Sequence, residues 1–195
     1  MRAGVTLYFI RHGETQWNAD ARYQGQADVP MNDTGRGQAR RNGEALRRFL
    51  PDLAQADFLA SPLSRARETM EIVRDALGLA PDDFQIEDRL MEAHYGFWQG
   101  TLASDLPAVD ADGLAARMRD PFHWRPKGGE SYEDLMTRTR AWLEGIERDC
   151  VVVSHGGVSR TLRGHVLDLD VATVPLLDMP QDRVLILRRG TSEWI

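Results

Sequence analysis

Two short apolar runs constrain the fold of this chain most. Val5-Thr6-Leu7-Tyr8-Phe9-Ile10 stops abruptly at Arg11-His12-Gly13, and Cys150-Val151-Val152-Val153 stops at Ser154-His155-Gly156-Gly157. Both are nearly continuous in β-branched, aliphatic or aromatic residues, as strands buried in a parallel sheet are. In open α/β sheets ligands bind beyond the carboxyl ends of the strands, which is where Arg11, His12 and His155 would emerge. Adjacent parallel strands would bring the two histidines together. A permanent cation beside a potential nucleophile suits an oxyanion, phosphate first, and glycine lets the backbone approach it closely.

Between these runs the periodicity is mostly helical. Residues 24–30 read as loop, and Asn32 caps a predicted helix to about Leu50, with Ala39, Gly43, Leu46 and Leu50 on one face and Pro51 closing it. A strand over residues 57–60 leads to Ser61-Pro62, a predicted cap with proline at the first helical position. Leu63, Ala66, Met70, Val73 and Leu77 form the apolar stripe of that helix, and Gly78 ends it. Arg65, near its start, either turns inward to an anion or pairs on the surface with Glu68 or Glu71. Residues 84–86 read as a third strand, followed by a polar and aromatic loop to Gly100.

An irregular excursion over about residues 93–131 has a short helix near Leu114, Ala115 and Met118, and is expected to cover the site. Ser131 with Asp134 resembles a capping box for a helix whose Leu135, Thr139, Trp142 and Ile146 share a face. After the second apolar run come a helix to about Leu167, a last strand at residues 184–187 and a short tail.

Composition narrows the function classes. The 195 residues suit a single domain, and the formal charge of −6 argues against a general nucleic-acid binder, which needs a basic face. No apolar run approaches a membrane span. The first strand comes almost at once, which predicts no signal peptide and a cytoplasmic location. Cys150, the only cysteine, is expected in the core. The paired arginines 40–41, 47–48 and 188–189 read as solvated surface.

Four motifs in order resemble the histidine phosphatase superfamily, also called phosphoglycerate mutase-like. They are Arg11-His12-Gly13-Glu14-Thr15 with Asn18; Ser61-Pro62-Leu63-Ser64-Arg65-Ala66-Arg67-Glu68-Thr69; Glu92 with Tyr95-Gly96; and Ser154-His155-Gly156-Gly157-Val158. The resemblance implies a three-layer α/β/α sandwich with a mostly parallel central sheet. It also implies a histidine acid phosphatase-type phosphoric monoester hydrolase that uses no metal and no cofactor. His12 would be the covalent nucleophile. Arg11, Arg65 and His155 would hold the phosphoryl oxygens, and Glu92 would act as proton donor and then as base, provided that burial or a nearby phosphate dianion keeps it protonated when substrate arrives. Asn18, Gln24, Gly25, Tyr95 and Gly156 would contact phosphate or substrate. Glu14 and His94 would be supporting or structural. The expected partner is a small-molecule phosphate ester, not nucleic acid and not a membrane, with the protein a monomer or homodimer.

Three other readings compete. Zinc held by His12, His155, His94 and Glu92 runs against the adjacent arginines and the absence of His-x-x-x-His spacing. A cofactor-dependent mutase shares the phosphohistidine step, but mutases of the family usually carry a longer segment before the second histidine. A silent phospho-ligand or protein-binding member would not need every catalytic residue type. Gln99, where phosphatase relatives often carry glutamate, and Ala93 depart from the family pattern beside the leaving-group site. Phe97, Trp98, Phe122 and Trp124 either wall a bulky leaving group, with Arg125 or Lys127 meeting a second anion, or pack the excursion onto the sheet.

Overall fold

A computed structural model describes residues 1–49, 53 and 55–195. In chain order the main elements are β1 Leu7–Arg11, α1 Gln16–Ala19, α2 Asp33–Leu46, β2 Asp57–Ala60, α3 Ser64–Leu77 and β3 Gln85–Ile86. They continue with α4 Leu106–Val109, α5 Ala111–Arg119, α6 Tyr132–Glu144, β4 Cys150–Ser154, α7 Gly156–Leu167, β5 Val184–Arg188 and β6 Thr191–Trp194. The sheet order is β3-β2-β4-β1-β5-β6. The first four of these strands are parallel, while β5 runs antiparallel to both β1 and β6.

The two apolar runs are neighbours in register, Leu7 opposite Cys150 and Arg11 opposite Ser154. Alternate side chains then fill two cores. Leu7, Phe9, Cys150 and Val152 pack with Leu135 and Trp142 of α6 and Val158 and Leu162 of α7. Tyr8, Ile10, Val151 and Val153 pack with Leu46 of α2 and Ala66, Met70, Val73 and Leu77 of α3. Helices on both faces of a mostly parallel sheet make the expected three-layer sandwich. Cys150 lies inside it, where burial pushes its thiol up to about 12.

Several boundaries differ from the sequence reading. Asn32 caps α2 through Gly35 N, but the helix ends at Leu46 and a 3-10 turn, Arg47–Phe49, follows; Leu50 and Pro51 lie outside the described residues. Ser61 does not cap α3. The Ser61 hydroxyl lies 2.7 Å from His155 Nε2, and the helix starts three residues later, its Ser64 N–H donating to Asp28 Oδ1 at 2.8 Å. The Ser131–Asp134 capping box forms as expected. β3 has only two residues, and the tail is a strand, β6, whose first three residues are exposed. No helix among the described residues is long and apolar enough to cross a membrane.

Candidate active site

The adjacent carboxyl ends of β1 and β4 deliver His12 and His155, whose ring centroids are 5.1 Å apart. His12 Nδ1 is 2.8 Å from its neighbour Gly13 O, an acceptor only. That contact places the proton on Nδ1 and leaves the Nε2 lone pair as the reactive position. Arg65 Nε donates to this Nε2 at 3.3 Å, while Nη1 and Nη2 of the same guanidinium donate to Ala27 O at 2.8 Å and Gly25 O at 2.7 Å. Arg65 is therefore the inward residue of the two alternatives. Glu68 pairs instead with Arg36 at 2.7 Å.

Arg11 donates to Met179 O at 2.6 Å, and its buried Nε has no partner. His155 is fully buried with Nδ1 unpartnered. Glu92 accepts from the Gly157 N–H at 3.1 Å and the Ala93 N–H at 3.0 Å. A Cβ on Gly157 would overlap Glu92 Oε1, so glycine is required there for the carboxylate to reach the start of α7. The backbone under Glu92 is fixed as well. Its carbonyl accepts from Gln26 Nε2 at 2.9 Å, and Arg138 bridges Met91 O at 2.8 Å to Glu130 at 3.1 Å.

The cavity over His12 has a volume of about 160 Å³ and is lined by Arg11, Asn18, Gln24, Gly25, Arg65, Glu92, Tyr95 and Gly156, all expected from sequence. His155 stands behind that lining. Asn18 Oδ1 accepts from Thr15 N at 3.1 Å and Gln181 Nε2 at 3.3 Å, an orientation that turns the amide nitrogen toward the cavity. Gln24 Nε2 donates to Thr15 Oγ1 at 2.6 Å. Gly25 takes the left-handed φ of 55°, where a Cβ would meet Tyr95 N at 2.9 Å.

Glu14 and His94 are structural: Glu14 Oε1 accepts from Asn32 at 2.9 Å, and His94 Nδ1 accepts from Gly96 N at 2.9 Å. No group of three or more His, Cys, Asp or Glu side chains suited to a metal ion forms among the described residues.

Sequence reasoning missed Arg22, Tyr23, Arg160 and Met179 in the lining. Arg160 had a findable signal, since it follows Gly156 by one helical turn and so shares its face. Met179 had none. Of the two roles open to these aromatic residues the structure shows packing: Phe122 is buried against Tyr132, Met136 and Val174, and Trp98 lies tilted against Trp124 with ring centroids 4.3 Å apart. Phe97 is exposed. Arg125 pairs with Asp134 at 2.6 Å, and neither it nor Lys127 reaches the cavity. Gln99 accepts from Gln26 N at 2.9 Å, holding the loop behind Gly25. The excursion is pinned by Arg117 of α5. Its guanidinium sits 5.1–5.9 Å from the rings of Tyr23, Tyr95, Trp98 and Trp124 and donates to Tyr23 Oη. Two of those rings, Tyr23 and Tyr95, are cavity walls.

Burial, with Arg65 and Arg11 adding to it, holds His12 well below the usual imidazole range; burial and the same cations, with His12, do so for His155. Burial also pulls Arg65 down to about 10. The folded protein therefore keeps both imidazoles neutral at pH values where the unfolded chain protonates them. Stability is full above about pH 6.5 and falls as pH drops toward the folded-state values. Both sites act in the same direction, so the protein should be less stable at pH 5.5 than at pH 7.5. Urea unfolding at the two pH values measures it, and unchanged stability would contradict neutral burial of the pair.

The chain is similar to known proteins along nearly its whole length. Residues 7–195 match the family model described as histidine phosphatase superfamily, branch 1. A glucosyl-3-phosphoglycerate phosphatase of Mycolicibacterium vanbaalenii is 36% identical over 183 residues, 88% of this chain and 78% of that protein. A 2,3-bisphosphoglycerate-dependent phosphoglycerate mutase 2 of Gloeobacter violaceus is 33% identical over 172 residues, 84% and 75% of the two chains. Among solved structures, a mycobacterial glucosyl-3-phosphoglycerate phosphatase complexed with VO3 superposes with a TM-score of 0.81 at 30% identity, covering 98% of this chain and 97% of the other. A match running through both histidines and every motif between them, on the same fold, places this chain in the histidine phosphatase superfamily, branch 1.

Proposed function

We propose that the protein is a metal-independent phosphomonoesterase that works through a phosphohistidine on His12. The observation that carries the reading is the Nε2 lone pair of a neutral, buried His12, contacted by Arg65 Nε, with the unpartnered Arg11 Nε and His155 Nδ1 beside it. Nε2 attacks phosphorus while the bond to the ester oxygen breaks, and Glu92 gives that oxygen its proton. Water then attacks the phosphoryl group, Glu92 takes the water's proton, and the N–P bond breaks to release inorganic phosphate. Arg11 and Arg65 balance charge on the equatorial oxygens, and Asn18 and the neutral His155 add hydrogen-bond donors. Arg65 Nε gives up its contact with Nε2 as the phosphoryl group enters. Gln24, Gly25, Tyr95 and Gly156 shape the rest of the cavity.

The substrate is a small phosphate ester, and the names of the relatives make phosphoglycerate esters the first compounds to assay. The short excursion, with α4 and α5 as its helices, favours hydrolysis over a mutase, which must shield a bisphosphate from water. Nitrophenyl phosphate should be hydrolysed at an undiminished rate in excess chelator. Absence of turnover would overturn the reading, as would activity abolished by chelator and restored by a divalent ion. Phosphoryl transfer between positions of phosphoglycerate, outpacing release of phosphate, would favour the mutase.

A further inference from the structure

The rings of Tyr23 and Tyr95 stand in the cavity lining with Glu92 and the groups that would hold phosphate. Backbone hydrogen bonds fix their main chains: Tyr23 N donates to Thr101 O at 3.0 Å, Gly100 N to Tyr23 O at 2.8 Å and Trp98 N to Tyr95 O at 3.0 Å. Those bonds leave the direction of the rings undetermined. The two rings meet edge to face with centroids 5.1 Å apart, and Tyr23 meets Trp98 in the same way at 5.2 Å. Arg117 holds this group from behind. It is half-buried and outside the lining, with its guanidinium 5.1 Å from the Tyr23 centroid and 5.9 Å from that of Tyr95, and it donates to Tyr23 Oη. Trp98 at 5.8 Å and Trp124 at 5.9 Å complete its surroundings. The helix that carries Arg117 is anchored in turn, because Asp110 caps α5 through Gly113 N at 3.0 Å and accepts from Trp98 Nε1 at 2.8 Å.

We propose that Arg117 is a positioning residue: acting through Tyr23 and Tyr95, it holds the wall that seats an unactivated leaving group against Glu92. The proposal rests on the phosphatase reading and adds to it a determinant of leaving-group specificity. Tyr95 follows Glu92, the proton donor of that reading, by three residues and lines the same cavity, so this wall borders the place where the ester oxygen departs. An alkyl oxygen is a poor leaving group and must be held within reach of the proton on Glu92, where a misplacement of about 1 Å costs on the order of 10²-fold. An aryl oxygen carries its own negative charge more easily and departs with less help. In a cavity of about 160 Å³ a turn of either tyrosine ring changes the space around that oxygen. A planar guanidinium can stack on rings and donate a hydrogen bond at once, which suits Arg117 to this task better than a lysine.

The test compares kcat/KM for glycerol 3-phosphate, an alkyl ester, with that for nitrophenyl phosphate, an aryl ester, in the intact protein and in Arg117→Met. In the variant the value for glycerol 3-phosphate should fall by about tenfold or more, while that for nitrophenyl phosphate stays within about threefold. Inhibition by inorganic phosphate, which needs only the phosphoryl end, should not change. Arg117→Lys, which keeps the cation without the plane, should lie between the two proteins. A purely structural role would lower both values together through the folded fraction and leave their ratio alone. Trp124→Leu removes a ring behind Arg117 that is not part of the lining, so it should move the ratio the same way and serves if Arg117→Met does not fold. Equal losses on the two esters, an unchanged ratio in the folded variants, weakened phosphate inhibition, or an intact protein that turns over only the aryl ester would overturn the proposal and leave the phosphatase reading standing. Hydrolysis of neither ester by the intact protein would overturn both.

Discussion

His12→Ala should lower kcat/KM for an aryl phosphate by roughly 10⁴-fold or more, the scale on which loss of a covalent nucleophile is felt. The effect should be this large because the cavity has no substitute at that position. His155 is the nearest other imidazole, but its Nε2 is engaged by the Ser61 hydroxyl, and it lies behind the lining. The substitution should leave the fold intact. It removes the ring's contacts with Gly13 O and Arg65 Nε and relieves the protein of an imidazole held neutral at a cost, so unfolding at acidic pH should become less pronounced. A variant retaining a tenth of the activity would mean that phosphorus is attacked by something else. Circular dichroism and urea unfolding on the same sample separate chemistry from misfolding.

Arg65→Ala should be the next most damaging change. The guanidinium joins three segments: its Nε meets the nucleophile, and its two other nitrogens satisfy the carbonyls of Gly25 and Ala27. Loss of one donor aimed at developing charge costs about 10²–10³-fold in kcat. Each orphaned carbonyl costs about 1–3 kcal/mol as well, so the loop bearing Gln24 and Gly25 should loosen and the melting temperature should fall. Arg65→Lys should not rescue it, since one ammonium cannot reach both carbonyls and the phosphoryl group. A loss below tenfold in the folded variant would remove Arg65 from the account.

Much of this arrangement was readable in the sequence because the chemistry sits where strands stop. The runs ending at Ile10 and Val153 are apolar throughout since both strands are covered on two faces, and the polar residues that follow stand out. Less legible was whatever depends on contacts between segments. Ser61 has the form of a helix cap, yet its hydroxyl is spent on His155, 94 positions away, and the amide it would have capped is served by Asp28. β6 escaped notice because Thr191, Ser192 and Glu193 sit exposed at a sheet edge, where no alternation marks them. For the aromatic residues of the excursion the sequence left wall and packing open. Trp98 and Trp124 close around Arg117, Phe122 packs on Tyr132, Met136 and Val174, and the rings that do line the cavity are those of Tyr23 and Tyr95.

The central claim is a covalent phosphoryl group on one nitrogen of one histidine. Its most direct measurement is to quench the protein in alkali during turnover of a phosphate ester and locate the phosphoryl group by peptide mass spectrometry and phosphorus NMR. The account predicts a phosphoramidate on His12 at Nε2, labile to acid and stable to base, because Nδ1 is committed to Gly13 O. A phosphoryl group on another side chain or on Nδ1, or turnover with no phosphorylated protein at all, would contradict it.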